Sequence, residues 1–313
     1  MTIDRIRPHL PWITLVVLTL AVSVINPVFL QPASLVQMTA DVATLFVLAL
    51  GITLVIYIGG IDLSAQSVAN MTTVLATLAL PKFGMWMAPA VLGVGATLGF
   101  ASGYASTRLK VPSFIATLAV GGVALSLGQY ASGQQAVFMD AELRDQVFGW
   151  VTGSTAGVPH EIFIAGALLA VLLFIERRTT LGRALKAIGA GEPAAVASGL
   201  RVDRYKIAVY TISGLIAAFA GLMFAVKLAG GAPNIAEGFL LPAIVAVLIG
   251  GTPLTGGVGG VLNTLIGALI VAVIRTAMVY LEVPATAQQI VFGVVLIVAI
   301  ALTIDRSKLA MVK

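Results

Sequence analysis

Few residues in this chain can do chemistry. Asp62 lies in the stretch VIYIGGIDLSAQSVANM, Val55 to Met71, where apolar residues lead into a glycine pair, a lone aspartate, and then Ser64, Gln66 and Asn70. A carboxylate in that company has two uses. It can satisfy orphan N–H groups at a helix start, or it can line a polar gate or passage. Asp41, Glu237 and Arg275 are the other charges within apolar runs. An ion-coupled carrier would depend on such groups, whereas an isolated arginine can also reach back to an interface. His9 and His160 have no second ligand at metal spacing, so no metal site is expected. No lysine follows a glycine, which rules out a phosphate-cradling G-K-[ST] turn and ATP hydrolysis by that route. There is no G-x-S-x-G turn and no pair of carboxylates within one apolar run. The expectation is a chain with no catalytic residue and no cofactor.

The elements that must position these residues are apolar. Of 313 residues, 59% are hydrophobic and 10% are charged, with a mean hydropathy of +1.06. A soluble domain carries about 25% charged residues, so lipid must be much of this chain's solvent. With no cysteine, disulfides and thiolate metal sites are excluded. Ten apolar segments fall near 11–30, 40–58, 64–80, 87–107, 113–133, 160–176, 206–226, 237–252, 258–280 and 285–303. They are continuous rather than alternating, which favours helices over barrel strands. The expected fold is an all-α polytopic membrane protein, one transmembrane domain over 1–313 with about ten helices. With the N-terminus in the cytoplasm, Lys82, Arg144 and Lys227 fall outside and Arg275 within a span. The remaining fourteen of the 18 basic residues fall inside. That asymmetry obeys the positive-inside rule and places both termini in the cytoplasm. Arg5, Arg7 and the apolar run up to AVS at 21–23 also resemble a cleavable leader, but the apolar stretch resumes after Pro27, which suits a first span better.

Two loops are long. The outer one, 134–160, carries Asp140, Glu142 and Asp145 and is a candidate docking surface or a plain solvated loop. The cytoplasmic one, 177–205, is basic and contains GEPAAVASG. Pro193 suits a first helical position, Ala194 and Ala195 favour helix, and Gly199 suits a left-handed stop. A two-turn helix is not stable alone in water. It must lie on lipid headgroups or insert into another protein. IGGIDLSAQSVANMTTVLATL from Ile58 also echoes IGGTPLTGGVGGVLNTLIGAL from Ile249 at an offset of 191. The echo aligns the glycine pairs Gly59–Gly60 and Gly250–Gly251, and Thr73 with Thr264. Duplicated halves with broken helices are common in transporters, though glycine-rich apolar sequence also matches by chance. Gly95, Gly99 and Gly103, and again Ala217 and Gly221, have the four-residue spacing of close helix contacts in lipid.

GGIDLS at 59–64, VPSFIATLA at 111–119, LGRALKAIGAGEPAAVASGLRV at 181–202 and GGTPLTGGVGG at 250–260 occur in one order. Together they resemble the permeases of bacterial ABC sugar importers of the ribose type, over nearly the whole chain. The resemblance implies an inner-membrane permease that pairs with a second copy or a homologous permease. It further implies a cytoplasmic ATP-binding-cassette ATPase and a periplasmic solute-binding protein as partners, and no nucleic acid. It makes Gly189, Gly191, Glu192, Pro193, Ala194, Ala195, Ser198 and Gly199 the segment that docks into the ATPase. It leaves Asp62, Ser64, Gln66, Asn70 and Thr117 as candidates for the pathway or its gate, with Gly59, Gly60, Gly250 and Gly251 as helix breakers. Gly191 stands where the family commonly has Asn, Ala65-Gln66-Ser67 where Val-Gly-Ser is usual, and Ala119 where glycine is common. These departures bear on the solute. A secondary carrier and a membrane enzyme are the rival readings.

Overall fold

The computed structural model describes residues 9–303. Arg5, Arg7, Arg306, Lys308 and Lys313, used in the charge count, lie outside the described residues. Among the described residues thirteen α-helices follow one another: α1 Leu10–Ile25, α2 Pro32–Tyr57, α3 Ala65–Phe83, α4 Met87–Thr107, α5 Ser113–Ser132, α6 Ala141–Thr152, α7 His160–Arg178, α8 Thr180–Ala190, α9 Glu192–Ala197, α10 Val202–Leu228, α11 Leu240–Ile249, α12 Val261–Tyr280 and α13 Ala285–Thr303. Five stretches are long and apolar enough to cross a membrane: α2, the run Ala65–Thr107 holding α3 and α4, α5, α10 and α12; α1, α11 and most of α13 are shorter apolar helices. The chain is an all-α polytopic membrane protein.

The core is built around α2. Residues 42–58 are buried without interruption, as expected of a helix apolar on every side. It packs against α7, α10, α11 and α12. The spacing predicts this helix from residue 40, yet it begins at Pro32, which occupies its first turn. Gln37 and Asp41 gave that stretch a loop-like polarity. They are one turn apart, and the Gln37 amide donates to the Asp41 carboxylate at 3.0 Å.

The glycine stripe of α4 is its contact with α10. A Cβ on Gly95 would strike Ala218 and the Gly214 carbonyl. One on Gly99 would strike the Tyr210 carbonyl, and one on Gly103 would meet the Ile207 Cα at 2.9 Å. Gly221, from the second small-residue pair, faces another helix: a Cβ there would meet Thr72 at 2.8 Å on α3. Two further features differ from the sequence expectation. The apolar segment 237–252 yields only the ten residues of α11, a rise of about 15 Å against a hydrocarbon core of about 30 Å. The segment before it is non-helical and pinned from the side. Asn70 accepts the Ala236 N–H at 2.6 Å, and Thr73 accepts the Ala232 N–H at 3.2 Å. The loop over 134–160 also carries structure. It holds α6, capped by Asp140 accepting the Leu143 N–H at 2.8 Å, a β2–β3 hairpin (Ser154–Thr155, Val158–Pro159), and β1 (Val137–Phe138) paired with β4 (Gly230–Gly231).

Candidate functional site: two helix breaks and the segment that holds them

Both glycine pairs end a helix in the same way. Gly59, at φ +75°, donates its N–H to Ile56, and Gly60 donates to Val55. Gly251, at φ +104°, donates to Leu248, and Thr252 donates to Val247. Each is a left-handed stop that satisfies carbonyls the helix leaves open. The echo slips by one position here. Gly59 matches Gly250 in sequence, but Gly251 takes the left-handed conformation, while Gly250, at φ −61°, is still helical. Gly60 is required for proximity instead, because a Cβ there would strike the Tyr210 hydroxyl.

After the first break the chain crosses 58–64 before α3 starts. Asp62 and Ser64 are 3% and 2% exposed. Oδ1 of Asp62 accepts the Ser64 N–H at 2.9 Å and the Ser64 hydroxyl at 2.6 Å, and Oδ2 accepts the Ser213 hydroxyl at 2.7 Å. The Ser64 N–H is one of the four that the start of α3 leaves without intrahelical partners. Asp62 therefore does satisfy the helix start. Ser64 does not cap as an acceptor: its hydroxyl is turned to Asp62. Ser213 lies ten residues beyond Asp203, about 15 Å along α10, and Asp203 pairs with Arg108 at 3.3 Å. The carboxylate thus sits deeper than an interfacial turn. Irregular backbone at such depth needs partners from the protein, and α5 supplies them. Ser113 accepts the Ile61 N–H at 3.2 Å and Thr117 accepts the Leu63 N–H at 3.1 Å. Two motifs far apart in the chain are one structural unit. Ser113, Ser213 and Tyr210 were not singled out from sequence, because single hydroxyls in apolar runs carry no spacing signal.

The second break lies against the first. The Gly257 N–H donates to the Tyr57 carbonyl at 2.9 Å, closing the end of α2. A Cβ on Gly256 would meet the Gly59 nitrogen at 2.7 Å. Thr252 accepts the Gly260 N–H at 3.0 Å, Asn263 donates to the Gly250 carbonyl at 3.0 Å, and Glu176 at the end of α7 accepts the Val261 N–H at 3.1 Å. A carboxylate at the first N–H groups of α12 suits both the orphan donors and the helix dipole.

The basic loop reaches this junction. The amphipathic α8 buries Leu185 and Ile188, and at its end Gly189 meets both breaks: a Cβ there would strike the Tyr57 carbonyl and meet the Gly257 Cα at 2.7 Å. Leu181, Leu185 and Ile188 recur at helical spacing. Gly191 turns the chain into α9. Of α9 and its cap only Ala195 is buried, whereas Glu192, Pro193, Ala194, Val196, Ala197, Ser198 and Gly199 are exposed. Glu192 pairs with Lys206 of α10 at 3.0 Å. The structure thus brings Gly59, Gly60, Asp62, Ser64 and Thr117 together, with Gly189 and the 255–257 turn against the end of α2, while Gly250 and Gly251 themselves pack on Asn263. Gln66 is half-buried on α3, and Asn70 is buried two turns away on its own partner. Among the described residues no group of three or more His, Cys, Asp or Glu is placed to hold a metal.

Paired helix breaks inside a helical membrane protein, clasped by a loop that presents a nearly bare two-turn helix, define a transport subunit. The chain belongs to the family described as the branched-chain amino acid transport system permease component, whose model matches residues 34–300. It is 34% identical over 294 residues to the ribose import permease protein RbsC of Haemophilus influenzae, covering 92% of this chain and 90% of that one. Identity is 32% over 287 residues to the L-arabinose ABC transporter permease protein AraH of Azospirillum brasilense, 91% of this chain and 84% of the other. It is 30% over 302 residues to the fructose import permease protein FrcC of Rhizobium meliloti, 93% and 84%. The chain is the permease subunit of an ABC importer.

Proposed function

We propose that this permease carries a monosaccharide or a similar small polar solute across the bacterial inner membrane. Its membrane part is one domain with ten crossings and both ends cytoplasmic, in which α11 and the segment before it together count as one crossing. The observation that carries the reading is α9. A helix of six residues with one buried side chain holds its shape in water only with a partner, and small residues on its open side admit close approach. The partner is a separate ATP-binding-cassette ATPase, with a periplasmic binding protein delivering solute on the other side. Movement of α9 passes through α8 to Gly189, where the end of α2 and the 250–260 turn meet. One displacement is therefore felt at both breaks.

The pathway lies between this chain and a second permease. Ala119, Gly122 and Ser126 are exposed along one face of α5, and nothing lies within 4 Å of a Cβ built on Gly122. Small and polar residues left bare on a membrane helix need water or another chain. Gln66 is half-buried on α3, which packs against α5. Glycosyl hydroxyls would meet hydroxyls and amides rather than charges.

The test is copurification from native membranes. The ATPase is expected at comparable stoichiometry with the unaltered chain and absent with Val196→Asp, whose side chain is 56% exposed and so leaves the fold intact. Failure of the unaltered chain to retain any ATPase, with α9 open to protease, would refute α9 as the docking element.

A further inference from the structure

A cavity of about 820 Å³ opens among α2, α10 and α12, at the end of the bundle opposite α8 and α9. Its size is that of a small-molecule site. Its charged residues are Asp41, Lys227 and Arg275, and they are not evenly matched. Lys227 pairs with Glu161 at 3.0 Å and with Asp41 at 3.8 Å. Asp41 also accepts from Gln37. Lys227 thus engages Glu161 closely and Asp41 at the edge of ion-pair range, and Asp41 attracts Arg275 without touching it. Arg275, about 7 Å along α12 from its end at Tyr280, makes no hydrogen bond or ion pair with the described residues. Its guanidinium lies 4.9 Å over the Phe239 ring, which leaves its edge donors free. A half-buried cation held in place with its fork unused is ready for an oxyanion.

A second orphan lines the same cavity. Thr44 is 2% exposed, and its hydroxyl has no hydrogen-bond partner. Other helix threonines here, such as Thr53, Thr72 and Thr276, donate back to the carbonyl four residues earlier. For Thr44 that carbonyl is on Ala40, and it accepts from Lys227 instead, at 3.5 Å. The remaining walls are apolar: Phe224 and Phe239, edge to face at 4.7 Å, with Ile235 and Val279. A bare phosphate would leave these walls unused.

We propose that this cavity is a binding site for an amphiphilic anion, its phosphate or carboxylate forked by Arg275 and its apolar body lying on Phe224 and Phe239. The site is distinct from the pathway at α3 and α5, and it does not depend on which solute is carried. In the topology proposed above it faces the outer leaflet, so the anion reaches it as a phospholipid headgroup or as a soluble molecule from outside.

The test uses the full chain purified in a neutral detergent. Native mass spectrometry and thermal unfolding are read with phosphatidylglycerol, phosphatidylcholine, phenyl phosphate or inorganic phosphate added. Selective retention of phosphatidylglycerol assigns the lipid source. Protection by phenyl phosphate exceeding that by inorganic phosphate, with no preference between the lipids, assigns the soluble one. Arg275→Gln is expected to weaken the selected ligand roughly tenfold or more. Arg275→Lys, which keeps the charge but loses the fork, should fall between and serves alone if the glutamine variant does not fold. Arg177→Gln with Arg178→Gln, at the other end, should change nothing. Equal retention of both lipids, with phenyl phosphate protecting no more than inorganic phosphate, would overturn the proposal, as would unchanged selectivity in the Arg275 variants.

Discussion

Replacing Asp62 tests whether its hydrogen bonds hold the first break. In Asp62→Ala three donors lose their acceptor: the Ser64 N–H, the Ser64 hydroxyl and the Ser213 hydroxyl. A buried donor left unmatched costs about 1–3 kcal/mol. The two hydroxyls can rotate toward backbone carbonyls, but the Ser64 N–H is fixed. The expected loss is therefore about 2–4 kcal/mol rather than the full sum. Asp62→Asn keeps Oδ1 for Ser64, and its amide can donate to Ser213 if that hydroxyl turns round to accept. Only the charge assistance is lost, about 1 kcal/mol. The assay is unfolding in mixed micelles titrated with SDS, followed by intrinsic fluorescence, beside solute uptake in reconstituted vesicles. An alanine variant as stable as the unaltered chain, or an asparagine variant as unstable as the alanine one, would refute the hydrogen-bond account. Asparagine that unfolds normally but no longer transports would give Asp62 a second role at the gate.

Gly99→Val should abolish folded protein on size-exclusion chromatography, since its side chain would run into the Tyr210 carbonyl on α10; Gly93→Ala, with open space around its Cβ, is the matched control and should be tolerated. Glu176→Ala removes the acceptor for the Val261 N–H and should lower stability by about 1 kcal/mol in the same micelle titration. Thr44→Val deletes a buried hydroxyl that makes no hydrogen bond, so unfolding stability should hold or rise by up to about 1 kcal/mol; a clear loss would mean that the hydroxyl has a partner after all.

The sequence announced what depends on local pattern. Apolar length marks the membrane helices, GGIDLS marks a break, and the four-residue glycine spacing of α4 marks its closest contact. Matters decided by distant partners were hidden. Nothing near Asp62 in the chain predicts Ser213, and nothing near Ile61 predicts Ser113, because their pairing is set by how α3, α5 and α10 stack. Apolar content marks α2 only from residue 40 because Gln37 and Asp41 look like loop residues until a cavity is there to receive them. The apolar segment 237–252 is longer than α11 because apolar content alone cannot separate a helix from buried turns. Residues 230–236 are mostly buried without being helical, as Asn70 and Thr73 supply their backbone with partners.

That arrangement has a consequence for how the protein is made. A ten-residue helix preceded by turns offers no continuous hydrophobic span to be threaded into lipid as it leaves the ribosome. Its backbone becomes tolerable in the membrane only when Asn70 and Thr73, made some 160 residues earlier, are already in place to receive it. The stretch from 230 to 249 must wait on α3. Asn70 and Thr73 thus bear on the order of assembly, and their loss would appear as failed insertion rather than as a weak transporter.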